Sequence, residues 1–213
     1  DIIRDRLIVY VDGFNLYHGL HDKWRHTYLW LDLVALAHRV RPRSDLVGVQ
    51  YFTAPVLNEP AAASRQSDYC AALKAHGQGL VSVIDGRYQS KTVRCRACGS
   101  TYVRYEEKET DVNIAVSLVA DAAERRMDTA LLISADSDLS PAVRAARRVF
   151  PALTVVAAFP PKRYSSELKA VMPRSFHLGH SHIRQSLLPE TVRGEGTLRW
   201  SRPLKWGGPR RQP

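Results

Sequence analysis

The stretch Arg6-Leu7-Ile8-Val9-Tyr10-Val11-Asp12-Gly13 decides the predicted fold. It is a short apolar run, rich in β-branched residues, that ends in an acid followed by glycine. Such a run is typical of a strand that is buried on both faces of a parallel sheet. The glycine predicts a turn, so we expect Asp12 at the carboxyl end of this strand.

Similar apolar runs recur along the chain and alternate with segments of helical periodicity. Further strands are predicted at residues 46–53, 80–85, 131–134 and 153–159, with an edge strand at 175–178. Helices are predicted at residues 29–40, 60–76, 111–126, 140–149 and 165–171. Strands and helices that alternate over short links predict an α/β fold, in which helices flank a parallel sheet.

Two segments depart from this alternation. Residues 87–105 hold tyrosines and valines around Arg94-Cys95-Arg96-Ala97-Cys98-Gly99, which predicts a small inserted β-hairpin. Residues 189–213 are rich in Gly, Pro, Arg and Trp, which predicts a flexible basic tail. We therefore expect one domain over residues 1–188, with the hairpin inserted in it, followed by the tail.

The composition of the chain favours a globular protein with a polyanionic partner. Hydrophobic residues make up 45% of its 213 residues, and the formal net charge is +10. From residue 179 onward there are seven Lys or Arg against two Glu. The three cysteines are too few for a disulfide scaffold. There is neither an apolar run of about 20 residues, as a membrane span needs, nor a signal-peptide pattern, so we expect a cytoplasmic protein.

Four aspartates are predicted to meet at one edge of the sheet. Asp12 ends the first strand, while Asp136 and Asp138 directly follow the strand at 131–134. Asp111 begins a helix, and strand-to-helix geometry often directs helix N-termini toward the edge where the strands end and ligands bind. Clustered carboxylates repel one another unless a cation intervenes, and hard oxygen ligands suit Mg²⁺ or Mn²⁺. This pattern favours a metal site, although Asp is also common in turns and caps.

Three blocks of sequence carry a family resemblance. The blocks are Val11-Asp12-Gly13-Phe14-Asn15-Leu16, Glu107-Lys108-Glu109-Thr110-Asp111-Val112 and Ile133-Ser134-Ala135-Asp136-Ser137-Asp138-Leu139. In their order and spacing they resemble the signature blocks of NYN domains, which belong to the PIN-like nuclease superfamily. The resemblance covers roughly residues 6–180 and implies a Rossmann-like sheet, a Mg²⁺ or Mn²⁺ site and ribonuclease activity.

The resemblance also implies roles for individual residues. Asp12, Asp111 and Asp136 match the family's acidic, metal-binding positions, whereas Asn15, Ser134 and Asp138 match its accessory polar positions. The implied reaction is in-line attack of a metal-activated water on a phosphodiester, leaving a 5′-phosphate. One departure is Glu109, which stands where many relatives carry Gly or another small residue.

Each accessory residue has a structural alternative. Asn15 could hold a water or a substrate phosphate, or only satisfy the turn after Asp12. Ser134 could contact Asp136 or the substrate, or simply fill the strand end. Asp138 could be a ligand, or the N-cap of the helix that begins near Leu139.

Basic residues elsewhere are candidates for binding RNA. Lys162 and Arg163 follow the strand at 153–159, so we expect them at the carboxyl edge, where they could bind backbone phosphates. The alternative is an ordinary solvated loop. In the tail, Trp200 and Trp206 alternate with basic residues, a pattern that could stack on single-stranded bases. The tail could equally dock on its own domain or be a poorly ordered terminus, which is the default expectation.

The pair Cys95-x-x-Cys98 has the spacing of half a zinc knuckle. A structural zinc site needs two further ligands, for which Cys70 and His76 are candidates, as is the same cysteine pair from the second subunit of a homodimer. Buried inert cysteines or a redox pair are the alternatives.

The sequence therefore predicts a metal-dependent ribonuclease, with single-stranded RNA as the expected partner. Two other functions stay open. One is an RNA-binding module that retains the acidic pocket without cutting, and the other is a small-molecule phosphohydrolase. A toxin-like role would call for a neutralising, antitoxin-like protein partner.

Overall fold

A computed structural model describes residues 5–207, apart from the side chains of Gln89 and of residues 104–108. The strands are β1 (Arg6–Asp12), β2 (Asp45–Thr53), β3 (Val81–Asp85), β4 (Arg87–Arg94), β5 (Thr101–Lys108), β6 (Thr129–Ile133), β7 (Thr154–Phe159), β8 (Phe176–His177), β9 (Thr191–Arg193) and β10 (Arg199–Ser201). The α-helices are α1 (Gly13–Trp24), α2 (Leu33–Val40), α3 (Pro60–His76), α4 (Thr110–Ala123), α5 (Ser140–Val149), α6 (Ser166–Val171) and α7 (His180–Arg184). None of the helices within residues 5–207 combines the length and the apolarity that a membrane crossing needs.

Six strands form one parallel sheet in the order β3-β2-β1-β6-β7-β8. Strands β2 and β3 are added in turn on one side of β1. The chain then returns to the centre, where β6 pairs with the other side of β1, and β7 and β8 follow outward from it. Ligands of such doubly wound sheets bind beyond the carboxyl ends of the strands, where the order reverses. Here that point lies between β1 and β6. The predicted α/β fold with a parallel sheet is confirmed, and so is the inserted hairpin, formed by β4 and β5.

Side chains of the central strand fill a core on each face of the sheet. Because neighbouring residues of a strand point to opposite faces, Leu7, Val9 and Val11 join one buried cluster and Ile8 and Tyr10 the other. The first cluster also takes residues from α1, α2 and α3, whereas the second takes residues from α4, α5 and α6. The strand is therefore buried on both faces, as its unbroken apolar run predicts.

The first two helices differ from the prediction. Helix α1 begins directly after Asp12, where the sequence predicts only a turn, and α2 begins at Leu33 rather than near residue 29. Leu31 instead pairs with Leu187 in an isolated antiparallel bridge, and Asp32 caps α2 by accepting hydrogen bonds from two backbone N–H groups. The buried apolar residues 29–31 precede the helix, and their spacing relative to α2 resembles that of a helix, which explains the early predicted start.

Two glycines let α1 lie unusually close to its neighbours. A Cβ atom on Gly13 would lie 2.6 Å from the carbonyl oxygen of Phe52 in β2, and one on Gly19 would lie 2.6 Å from that of Pro161. Any larger residue would force the helix away from the sheet or from the loop after β7. The glycine after Asp12 therefore serves close packing of a helix rather than a turn.

The C-terminal segment, for which the sequence predicts flexibility over residues 189–213, packs against the domain over residues 191–206. Strands β9 and β10 pair antiparallel, and Trp206 is only 6% exposed. Its ring lies 6.3 Å from that of Trp30 and 5.7 Å from that of Tyr69, between ring centroids. Aromatic burial outweighs the charged composition of this segment. Residues 208–213, with two of the tail's arginines, lie outside the described residues.

We expect Trp206→Ala to lower the free energy of unfolding by about 3 kcal/mol, because a large buried ring would leave a cavity. Leu204→Ala is the matched control, since Leu204 lies two residues away and is 93% exposed. Its effect should stay within about 0.5 kcal/mol. Urea unfolding followed by circular dichroism would measure both. Equal stability of the two variants would contradict docking of this segment.

Candidate active site

Three of the predicted acids meet beside the point where the strand order reverses. Asp12 ends β1, Asp111 lies in the first turn of α4, and Asp136 follows β6. One carboxylate oxygen of each lies within 4.8 Å of the others. Asp12 is buried, Asp136 is half-buried and Asp111 is exposed. Within the described part of the chain, no other group of three or more His, Cys, Asp or Glu side chains is arranged to hold a metal ion.

The Asp12 carboxylate is held on both of its oxygens. Oδ1 accepts a hydrogen bond of 3.0 Å from the backbone N–H of Asn15, so that Asp12 is the N-cap of α1. Oδ2 accepts one of 2.8 Å from the hydroxyl of Ser134, which directly follows β6. These bonds fix the orientation of the carboxylate toward Asp111 and Asp136.

Ser134 connects two of the acids. Its hydroxyl donates to Asp12 and accepts a hydrogen bond of 3.0 Å from the backbone N–H of Asp136. The residue is fully buried, and a fully buried hydroxyl cannot reach a substrate. In this geometry the Ser134 hydroxyl contacts Asp12 and the backbone of Asp136.

Asn15 and Asp138 lie next to the cluster. The side-chain oxygen of Asn15 accepts a hydrogen bond of 3.0 Å from the backbone N–H of Ala135, which ties α1 to the end of β6. Asp138 is exposed, and its N–H donates to Oδ1 of Asp136. The sequence suggests Asp138 as an N-cap, but the N-cap here is Asp136, which caps the 3-10 helix Ser137–Leu139. Asp138 is not among the clustered acids.

The position of Asp111 depends on how α4 is anchored at its other end. Asp121, near that end, is buried and accepts hydrogen bonds from the hydroxyl of Tyr10 (2.7 Å) and the amide of Gln50 (2.8 Å). An ion pair of 2.8 Å to Arg126 neutralises this carboxylate. Burial, and then the hydrogen bond to Asp121, raise the pKa of the Tyr10 hydroxyl well above its ordinary value. The helix is thereby fixed to β1 and β2, which sets where its first turn lies.

Glu109, which departs from the family pattern, has an unusual backbone conformation and forms an ion pair. Its φ of +79° lies in the left-handed region, where glycine is favoured and other residues carry a conformational cost. Its carboxylate pairs with Arg87, the first residue of β4. The added charge thus closes the base of the inserted hairpin, immediately before Asp111.

The acids line a cavity of about 400 Å³, whose other walls include Phe14, Asn15, His18, Thr110 and Arg163. Arg163 also forms an ion pair of 2.6 Å with Asp22 of α1. Burial, and then the neighbouring Arg163, lower the pKa of His18 below its ordinary value. The imidazole is therefore neutral at pH 7, and Arg163 supplies the positive charge in this wall. Lys162, on the same loop, is exposed and does not line the cavity.

The cysteine pair lies at the turn of the hairpin, far along the chain from its candidate partners. Hydrogen bonds with Ser100 lower the pKa of the exposed Cys98 thiol to about 7. Cys70 packs against the core, and His76 instead contacts Asp32 at 3.2 Å. Within residues 5–207, no third side chain joins Cys95 and Cys98 in a metal-binding group. Among the described residues, Cys70 and His76 are thus not gathered with this pair, and the zinc site stays a prediction.

The chemistry of the acid cluster fits a hard divalent cation. Each aspartate offers an oxygen, the ligand atom that Mg²⁺ and Mn²⁺ prefer. Three carboxylates at this separation repel one another, and a divalent ion would remove that repulsion. The Asn15 N–H and the Ser134 hydroxyl orient the Asp12 carboxylate, as hydrogen-bond donors around metal ligands usually do.

Comparisons with known proteins agree with this fold. The family model of the NYN domain matches residues 6–179. A crystal structure of a Vibrio parahaemolyticus protein of unknown function has a TM-score of 0.58 at 19% identity, over 88% of this chain and 99% of that one. The chain is also similar to 6-hydroxy-3-succinoylpyridine 3-monooxygenase HspA of Pseudomonas putida, with 28% identity over 67% of this chain. That match spans 55% of the relative's length, so the chain corresponds to about half of it.

We expect Ser134→Ala to weaken Mn²⁺ binding about tenfold, because residues that orient metal ligands typically contribute 10- to 100-fold to affinity. Ser140→Ala is the matched control, since its buried hydroxyl has no hydrogen-bond partner among the described residues. Isothermal titration calorimetry with Mn²⁺ would compare the two variants with the parent chain. Equal affinity for all three would contradict the positioning role of Ser134.

Proposed function

The chain belongs to the NYN domain family, and from this premise we propose that it is a metal-dependent nuclease that hydrolyses phosphodiester bonds of RNA. The observation that carries the proposal is the convergence of Asp12, Asp111 and Asp136 at the reversal point of the sheet. NYN domains are generally nucleases, and the three acids are those that the resemblance assigns to the metal.

Asp12, Asp111 and Asp136 would hold the Mg²⁺ or Mn²⁺ ion. When bound, the ion would supply positive charge to the phosphate oxygens and acidify the water that attacks phosphorus. The chain contributes preorganisation: Ser134 and the backbone of Asn15 fix Asp12 before any substrate arrives. Such fixed groups lower the barrier because they need no reorganisation during the reaction.

Other residues of the cavity would bind and orient the substrate. Arg163 lies in the wall of the cavity. Its hydrogen bond to Asp22 holds the guanidinium in place. A guanidinium suits a phosphate group because its N–H groups form paired hydrogen bonds. Asn15 lines the same cavity and is the candidate for a second phosphate contact. We assign Asp138 a peripheral role beside Asp136 at the edge of the site.

RNA is the proposed substrate because the chain combines a formal net charge of +10 with a cavity lined by three carboxylates. The positive charge attracts a polyanion, while the carboxylates require a cation before a phosphate can approach. A single strand suits a concave site of about 400 Å³ better than a duplex does, because its phosphates can enter singly.

A small heteroaromatic compound is the competing class of substrate. The Pseudomonas relative is named for a monooxygenase reaction on a pyridine compound. A second cavity of about 340 Å³, which shares Phe14 and His18 with the acid-lined cavity, favours this alternative. We favour RNA because a cluster of three carboxylates and a strongly basic chain fit phosphodiester chemistry.

The first test is cleavage of end-labelled single-stranded RNA with Mn²⁺, Mg²⁺ or EDTA. We expect cleavage with either metal and none with EDTA. Asp12→Asn should lower the rate at least about 100-fold, because it alters a ligand that would hold the ion. Asp85→Asn is the matched control, since Asp85 ends the parallel strand β3 outside the cluster.

Each other outcome has a distinct meaning. RNA binding without cleavage under any metal would favour the non-cutting module. Cleavage that persists in Asp12→Asn would point to a contaminant or to a different active site. Release of phosphate from small phosphomonoesters, with RNA left intact, would favour the phosphohydrolase.

The second test addresses Lys162 and Arg163. Each contact with a phosphate of a single strand contributes about 0.7 to the slope of log affinity against log salt concentration. We expect Lys162→Ala and Arg163→Ala each to reduce that slope by roughly this amount, measured by fluorescence anisotropy with labelled RNA. Arg174→Ala, at another exposed arginine, is the control. An unchanged slope in either variant would exclude that residue from phosphate binding.

A further inference from the structure

The second cavity adjoins the acid-lined cavity at helix α1. Its floor is aromatic and comes from three parts of the chain: Tyr51 of β2, Tyr69 of α3 and Trp206 of the C-terminal segment. Tyr17 of α1 forms part of the wall. The volume of about 340 Å³ lies within the range of small-ligand sites.

The floor of this cavity is rigid. The hydroxyl of Tyr69 donates a hydrogen bond of 2.8 Å to the backbone carbonyl of Leu31. The ring of Tyr69 meets those of Tyr51 and Trp206 nearly edge to face, with centroid distances of 6.0 and 5.7 Å. All three rings are less than 8% exposed. A ligand would therefore meet a preformed aromatic surface and cause little ordering of side chains.

The two cavities share a wall. Phe14 and His18 line both of them, and they lie one turn apart on α1. Their rings are stacked, with a centroid distance of 6.4 Å and an angle of 21° between planes. A ligand that extends past Phe14 and His18 would place a phosphate at the acid-lined cavity and a planar ring at the aromatic floor.

The charge around the second cavity favours an anionic ligand. Arg65 and Lys205 line it, against a single acid, Glu59. His26 lines it as well; burial, His21 and the nearby Lys205 and Arg65 lower its pKa. The imidazole of His26 is therefore neutral at pH 7, and the positive charge comes from the arginine and the lysine.

We propose that this aromatic cavity receives the nucleobase of the nucleotide whose phosphate lies at the acid cluster. The inference rests on the proposed nuclease function and names how its substrate is held. An unstacked base has a planar face that stacks on aromatic side chains, and the phosphate of the nucleotide supplies the negative charge.

The cavity selects for a planar ring more than for a particular base. Gln66 is the amide side chain in its wall, and its hydrogen bonds already go to Val56, Thr53 and Ala54. Reading a base edge needs polar groups that are available to it. Stacking by itself tolerates any base, and the occupied amide of Gln66 adds no preference among the four.

The experiment titrates the full chain with adenosine monophosphate and, separately, with ribose 5-phosphate, by calorimetry with Mn²⁺ present. We expect the nucleotide to bind at least about tenfold more tightly, since base stacking on an aromatic residue contributes on that order. Tyr17→Ala should remove most of this difference, whereas Tyr102→Ala, at an exposed tyrosine of the hairpin, should not.

Arg65→Ala is a second variant that keeps the test decisive if Tyr17→Ala does not fold. Removing this cation should weaken binding of adenosine monophosphate at least about fivefold, with an unchanged melting temperature. Equal affinity for the nucleotide and the sugar phosphate would overturn the proposal. So would tight binding of a free hydroxypyridine that adenosine monophosphate does not displace.

RNA cleavage in the same variants separates this proposal from the nuclease itself. If the parent chain leaves RNA intact but binds adenosine monophosphate through Tyr17, the nucleotide site stands and the nuclease proposal falls. If it cuts RNA with metal while Tyr17→Ala and Arg65→Ala bind the nucleotide normally, the nuclease stands and the base site is overturned.

Discussion

The carboxylate of Asp12 joins three elements of the fold. It ends the central strand β1, caps α1 through the N–H of Asn15, and accepts the hydroxyl of Ser134 after β6. Neither oxygen can turn without giving up one of these bonds, and an unpaired buried carboxylate would be costly. Since β1 and β6 are the two strands between which the sheet reverses, the same bonds that close the fold also set the geometry of the acid cluster.

The strands and the acids could be predicted from the sequence because each has a local signal. An unbroken apolar run is typical of a buried parallel strand, and an acid directly after such a run must lie at the carboxyl edge. Asp12 and Asp136 follow from that rule alone. Asp111 needs more, since its place depends on how α4 is anchored, and the anchor is Asp121, ten residues away and hydrogen-bonded to Tyr10. For that residue the prediction rested on its place at a helix start and on the family resemblance.

What could not be predicted depends on contacts between distant parts of the chain. Helix α1 has a weak apolar stripe, because glycines occupy the positions where it approaches β2 and the Pro160–Pro161 loop. Ser134 looks like any polar residue at a strand end until its hydroxyl is seen between Asp12 and the N–H of Asp136. The C-terminal segment has the composition of a flexible tail, and only the burial of Trp206 against Trp30 and Tyr69 reverses that expectation.

The packing of Trp206 also couples the C-terminal segment to the second cavity. The family match ends at residue 179, whereas Lys205 and Trp206 lie beyond it and line that cavity. Trp206 belongs both to the core cluster and to the lining of the cavity. A ligand that touches this ring binds only where the segment is docked, so by linkage it must also stabilise the docked state. Ligand affinity in the second cavity and stability of the C-terminal segment are therefore two measures of the same contact.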